Sequence, residues 1–149
     1  MKIDFTKEQF EALIKTVYMG SGMVRSAQEG PEGEEGFFTI DEYLYSHAKD
    51  FGLEQYVEYD KDENTYYPSQ LLEEDEKIIN HILRYNDFTF WDQLIFNLAM
   101  RDMIKKYGEK TIEKMSEEDI AAKEKPLAEK YEREFEKNGL KNLAILRNK

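Results

Sequence analysis

Apolar residues recur at helical spacing along five stretches of the chain. Phe10, Leu13, Ile14, Val17 and Tyr18 share one face and predict a first helix from Thr6 toward Gly20. Gly20-Ser21-Gly22 should kink it, with Met23-Val24 resuming beyond. Ile40, Tyr43, Leu44, His47, Ala48 and Phe51 predict a second helix, starting at Thr39 and closed by Gly52. Leu71, Leu72, Ile78, Ile79, Ile82 and Leu83 predict a third over about 69–85, broken by Asn86-Asp87. Phe90, Trp91, Leu94, Ile95, Leu98, Ala99, Met103 and Ile104 predict a fourth over 89–107, closed by Gly108. It is the most apolar of the set and is therefore expected at the centre. Leu127, Tyr131 and Phe135 mark a narrow stripe on a last helix, from Ser116 to Asn138-Gly139, that lies on the surface. Pro126 should bend or split it.

Local start signals support this segmentation. Thr6, Thr39, Thr89 and Ser116 each follow an apolar residue and each precede, by three positions, Gln9, Glu42, Asp92 or Asp119. The hydroxyl accepts from a free N–H of the first turn and the later polar group reaches back. Between the second and third helices the period changes. Tyr56-Val57-Glu58-Tyr59 and Thr65-Tyr66-Tyr67-Pro68 flank a polar run, which predicts a small β-hairpin near 56–67. Leu143-Ala144-Ile145-Leu146 offers a third strand or a helix end. No repeat of fixed period is present. The expected fold is mainly α: one domain over 1–149 of five or six helices around the 89–107 helix, with an exposed acidic loop at 29–37 and a basic tail at 138–149.

Charge changes the picture more than composition does. The chain carries a net charge of −11, yet residues 29–76 hold 16 acids against two bases, a net of −14. The rest is therefore mildly basic. Such a block repels phosphate and excludes direct nucleic-acid binding through it. A basic protein is the partner that it suits, and Tyr56, Tyr59, Tyr66 and Tyr67 supply aromatic anchors among the acids. The expected docking residues are these four with Glu58, Asp60, Asp62, Glu63, Glu73 and Glu74. Cysteine is absent, which removes disulfides and thiolate sites and fits a reducing cytoplasm. No apolar run reaches the roughly 18–20 residues of a membrane span, and the first residues do not read as a signal peptide. A cytoplasmic location is the expectation.

Signals for catalysis or metal binding are sparse. The two histidines, His47 and His81, sit on apolar helix faces without a zinc or di-iron spacing motif. Asp102 interrupts the apolar stripe of the fourth helix and needs a partner, expected to be Lys or Arg of a neighbouring helix, with Arg101 reaching an acid elsewhere. His81 and Asp102 are the candidate pair for an alternative reading, a small-ligand binder or enzyme with an aromatic pocket near Trp91. Asp60, Asp62 and Asn64 begin like a calcium loop, but Thr65 and Leu71 stand where Gly and a bidentate Glu are needed. Divalent-cation binding there is the third reading. No cofactor is implied.

Phe88-Thr89-Phe90-Trp91-Asp92-Gln93-Leu94-Ile95 running on to Arg101-Asp102, and Glu129-Lys130-Tyr131-Glu132-Arg133-Glu134-Phe135 running on to Asn138-Gly139, resemble segments of short uncharacterised bacterial proteins. The likeness extends loosely to the first helix. It implies a bacterial cytosolic setting and brings no activity or site residue with it. The function expected from the sequence is a non-enzymatic interaction or regulatory module that docks a basic partner through its acidic, Tyr-rich segment. The sequence leaves the oligomeric state open.

Overall fold

The computed structural model describes residues 3–26 and 35–144, the side chains of 35–38 excepted. Among these residues six α-helices and a two-stranded antiparallel sheet follow in the order α1 (Lys7–Ser26), α2 (Glu35–Ser46), β1 (Val57–Asp60), β2 (Thr65–Pro68), α3 (Gln70–Glu73), α4 (Glu76–Tyr107), α5 (Glu109–Ile112) and α6 (Glu117–Asn138). Two 3₁₀ turns, Ala48–Phe51 and Glu54–Tyr56, link α2 to β1. The fold is mainly α, as the apolar periodicity demands. The chain gathers into two compact units, Met1–Arg84 and Tyr85–Lys149.

The first unit is built on a core of Phe10 and Ile14 from α1, Leu44 and Tyr45 from α2, Ala48 and Leu53 from the connecting turns, Leu72 from α3 and Ile78 from the start of α4. Phe51 stacks on Phe10 with ring centroids 3.9 Å apart. Thr6 and Gln9 form the expected reciprocal cap: Gln9 N donates to Thr6 Oγ1, and Thr6 N donates to Gln9 Oε1. Contrary to the expected kink at Gly20-Ser21-Gly22, α1 is continuous, and Ser21 is buried. Helix α2 starts at Glu35, not at Thr39, so Thr39 lies inside it. Gly52, with φ of +64°, closes the 3₁₀ turn after α2. The conformation is one that glycine adopts without steric cost.

One lysine ties several parts of this unit together. Lys15 Nζ lies 2.8 Å from Glu11 Oε1 and 2.9 Å from Asp75 Oδ2, and 5.0 Å from the centroid of the Tyr56 ring. Asp75 in turn caps α4, its Oδ1 accepting from the backbone N–H of Lys77 and Ile78. Burial works against the Lys15 charge, but the two carboxylates outweigh it and hold the ammonium well above the usual lysine range. The same ammonium holds Glu11 and Asp75 below theirs.

Helix α4 corrects the sequence reading most. The predicted helices over 69–85 and 89–107 are not separate: after the short α3, one helix of 32 residues runs from Glu76 to Tyr107. Asn86-Asp87 does not break it. Neither residue forbids helical backbone, and each costs only about 0.5–0.7 kcal/mol relative to Ala. Asp87 even gains a bond inside the helix, accepting from Trp91 Nε1 at 3.1 Å. The helix buries Ile78, Ala99 and Met103 but leaves Leu83, Phe88 and Phe90 among its exposed apolar residues.

In the second unit α6 begins at Ser116, which accepts from Asp119 N as the start signal requires, and ends at Asn138 before Gly139. Pro126 lies within this helix without splitting it. Phe135 is buried and its ring centroid lies 5.5 Å from that of Trp91. The start of the expected acidic loop, 29–34, lies outside the described residues, and 35–37 open α2. The end of the basic tail, 145–149, is also outside them, with two positions of the third candidate strand. The sheet has two strands among the described residues.

Candidate partner-docking surface

The hairpin supplies the geometry of the site. Val57 pairs with Pro68, Glu58 with Tyr67, Tyr59 with Tyr66 and Asp60 with Thr65. Residues directly opposite share a face. Tyr59 and Tyr66 thus stand together, ring centroids 4.8 Å apart. Glu58 and Tyr67 stand on the other face. The turn between the strands is held by Asp60, whose Oδ1 accepts from the backbone N–H of Asp62 and Glu63. Asn64 follows with φ of +53°, a left-handed conformation that Asn tolerates better than most residues. Its Oδ1 accepts from the Tyr59 hydroxyl at 2.7 Å and fixes that ring against the turn.

Helix α2 faces this aromatic pair. Thr39, Glu42, Tyr43 and Ser46 recur at i, i+3, i+4 and i+7 and so share one helix face. With Tyr59, Asn64 and Tyr66 they line an open groove of about 460 Å³. Tyr43 is 61% exposed and packs its ring edge-to-face on His47, centroids 4.9 Å apart. Three tyrosine rings and one carboxylate border the groove, and no Lys or Arg does. Aromatic faces carry negative potential, so this lining favours a cation. Ser46 Oγ donates to the Tyr43 carbonyl, and no His is among the lining residues.

The sequence-predicted docking residues divide into three groups. Tyr59 and Tyr66 line the groove. Asp62 and Glu63 are exposed in the turn, Glu58 and Tyr67 are exposed on the opposite face of the hairpin, and Asp60 is committed to the turn. Tyr67 donates its hydroxyl to Glu63, whose carboxylate raises the Tyr67 pKa. Tyr56, Glu73 and Glu74 lie elsewhere. Tyr56 is half-buried on the core and its hydroxyl donates to Glu11 Oε1 at 3.0 Å. Glu73 and Glu74 sit at the end of α3, where Glu74 accepts from Gln70. The groove also recruits Thr39, Glu42, Tyr43 and Ser46, which sequence reasoning had assigned only to the second helix. The signal was present in Tyr43, an apolar-stripe residue too polar at its tip for full burial.

Part of the negative block is neutralised internally. Asp41 is buried and lies 2.5 Å from Arg25, and Asp75 is held by Lys15. Among the described residues, Glu42, Glu58, Asp60, Asp62 and Glu63 make no ion pair with Lys or Arg. Their field is therefore available to a partner.

The other candidates resolve separately. His81 is exposed in the first unit and Asp102 lies in the second, so neither unit joins them in a site. Asp102 is paired, but not as expected. Its neighbour Arg101 donates to Oδ1, and the Tyr131 hydroxyl of α6 donates to Oδ2 at 2.5 Å. The Tyr131 bond and then Arg101 hold the Asp102 carboxyl below the usual range. Among the described residues no group of three or more His, Asp or Glu could hold a metal ion. No described helix is long and apolar enough to cross a membrane. No protein family, curated protein or solved structure matches the chain.

Proposed function

We propose that this protein is a non-enzymatic interaction module that docks a basic segment of a partner protein on the face formed by α2 and the hairpin. The observation that carries the reading is the groove lining: Tyr43, Tyr59 and Tyr66 with Glu42, and no Lys or Arg among the lining residues. Lys or Arg of the partner would lay its cation against the rings, and the surrounding carboxylates would speed encounter. The ring of Tyr59, already fixed through Asn64, costs little ordering on binding. A reducing bacterial cytoplasm is the setting proposed, on the absence of cysteine and on the resemblance to short bacterial proteins.

The test is the affinity of an Arg- and Lys-rich peptide for the intact protein at low and high salt. Glu42→Lys, Asp62→Lys and Glu63→Lys together should abolish the salt-sensitive binding, since these carboxylates are exposed. Unchanged affinity in the triple variant would refute the docking face.

A further inference from the structure

The hairpin has an edge of unpaired backbone. Ser69 N donates to the Tyr56 carbonyl at 3.0 Å, which makes Tyr56 and Ser69 a hydrogen-bonded pair. Such pairs alternate with non-bonded ones along an antiparallel ladder. Glu58 with Tyr67 and Asp60 with Thr65 are therefore bonded pairs, whereas Val57 with Pro68 and Tyr59 with Tyr66 are not. Pro68, which has no N–H, fits that phase. The N–H and C=O of Tyr59 consequently point away from β2, and among the described residues no group bonds to either. The Val57 carbonyl points the same way, while the Val57 N–H donates to the Glu54 carbonyl. The other strand offers less: α2 and α3 pack against β2, and Pro68 removes a donor from it. Tyr59 is 47% exposed, and Glu58 beside it is exposed as well.

We propose that this edge of β1 pairs with an extended basic segment of the partner, which adds a third strand to the sheet. Main-chain bonds to Tyr59 hold the segment, and its side chains at alternate positions select it. A partner residue opposite Tyr59 lies on the face of the Tyr59 and Tyr66 rings, beside the groove that Tyr43 and Glu42 also line. Arg at that position lays its guanidinium against the rings. The residues on either side of it turn to the Glu58 face. Charge selects the occupant. A second copy paired β1 on β1 around Tyr59 sets Glu58 opposite Asp60, and like charges directly opposite are destabilising. A basic segment meets Glu58, Asp62 and Glu63 with opposite charge. The inference rests on the docking reading for the charge of the partner and adds how its backbone is held.

The intact protein is titrated at low salt with an alternating Arg-Thr peptide, either unmodified, N-methylated on every Arg amide, or N-methylated on every Thr amide. With the Arg side chains on the Tyr59 face, only one of these sets of amides points at β1. Calorimetry should show one methylated form at least about tenfold weaker than the unmodified peptide and the other close to it. Hydrogen exchange gives a second readout. In the free protein the Tyr59 amide should exchange faster than that of Glu58, which bonds to Tyr67, and the unmodified peptide should slow it. Equal affinities of the two methylated forms would overturn the strand pairing and leave the docking reading standing. So would a Tyr59 amide that the bound peptide leaves unprotected. No binding of the unmodified peptide would remove both. A Tyr59 amide protected without peptide, in a protein that sediments as a dimer, would give the edge to a second copy and overturn the proposal.

Discussion

The hydroxyl of Tyr131 on α6 donates to Asp102 Oδ2 on α4 at 2.5 Å, while Arg101 donates to the other oxygen of the same carboxylate. Asp102 therefore joins two helices of the second unit, a structural role for a carboxylate that the sequence marks as a candidate catalytic group. Burial first, and then the Asp102 carboxylate, raise the Tyr131 pKa. The pair holds its charged-acceptor form over the neutral range.

Tyr131→Phe removes the hydroxyl and leaves the ring in place beside Phe135. A hydrogen bond to a charged group contributes roughly 1.5–3 kcal/mol, reduced here because Asp102 is only half-buried, so a loss of about 1–2 kcal/mol is expected in denaturant unfolding. The sign with pH follows from the lowered Asp102 pKa. The stabilisation is complete above the ordinary Asp range and is lost as pH falls through the folded-state value. The variant should show a higher Asp102 pKa by carbon NMR and a shallower loss of stability on acidification.

Lys15→Met should cost about 1–3 kcal/mol, because Glu11 and Asp75 then face each other without their ammonium. The two carboxylates are held below their ordinary range, so their contribution disappears as pH falls below it. Lys15 is held above its ordinary range, so its contribution is kept up to about pH 10 and lost at higher pH. Wild-type stability against pH should form a plateau between these limits, and the variant should flatten both edges.

Gly20→Ala and Gly22→Ala should each stabilise the protein. A Cβ at either position meets nothing within 4 Å, and both lie in the interior of a continuous helix. The expected gain is about 0.5–1 kcal/mol each, from helix propensity and reduced freedom of the unfolded chain. Thermal unfolding of the single variants checks it.

These glycines also show where sequence and structure part. Thr6 and Ser116 start helices because each stands at the edge of an apolar stripe, with a reaching side chain three residues on. Thr89 carries the same local signature yet lies inside a helix, because the stripe continues on both sides of it without Pro or Gly; Thr39 lies inside α2 as well, which starts at Glu35 in spite of Gly36. Ile78, Ile82 and Leu83 lead through Asn86-Asp87 into Phe90 and Leu94, and the continuous period outweighs two weak helix formers. The hairpin was legible because Val57–Tyr59 and Thr65–Tyr67 are rich in β-formers around a polar turn. The groove was only half legible: Tyr59 and Tyr66 are close in sequence, whereas Tyr43 and Glu42 join them through the packing of α2 on β2, which no local pattern encodes.

Asn64 links the hairpin's conformation to the groove. Asn64→Gly keeps the left-handed backbone and loses the bond to Tyr59. Asn64→Ala loses the bond and also strains the turn, by roughly 1 kcal/mol. Stability should fall in the order wild type, Gly, Ala. Affinity for a basic peptide should fall in both variants, because Tyr59 is no longer held in either.

The most direct test of the docking account is amide chemical-shift mapping of the intact protein with an oligo-arginine peptide at low salt. Perturbations are expected to cluster on 39–46 and 58–67 and to vanish at high salt. Shifts confined to other residues, or spread evenly over the acidic positions of the chain, would contradict it.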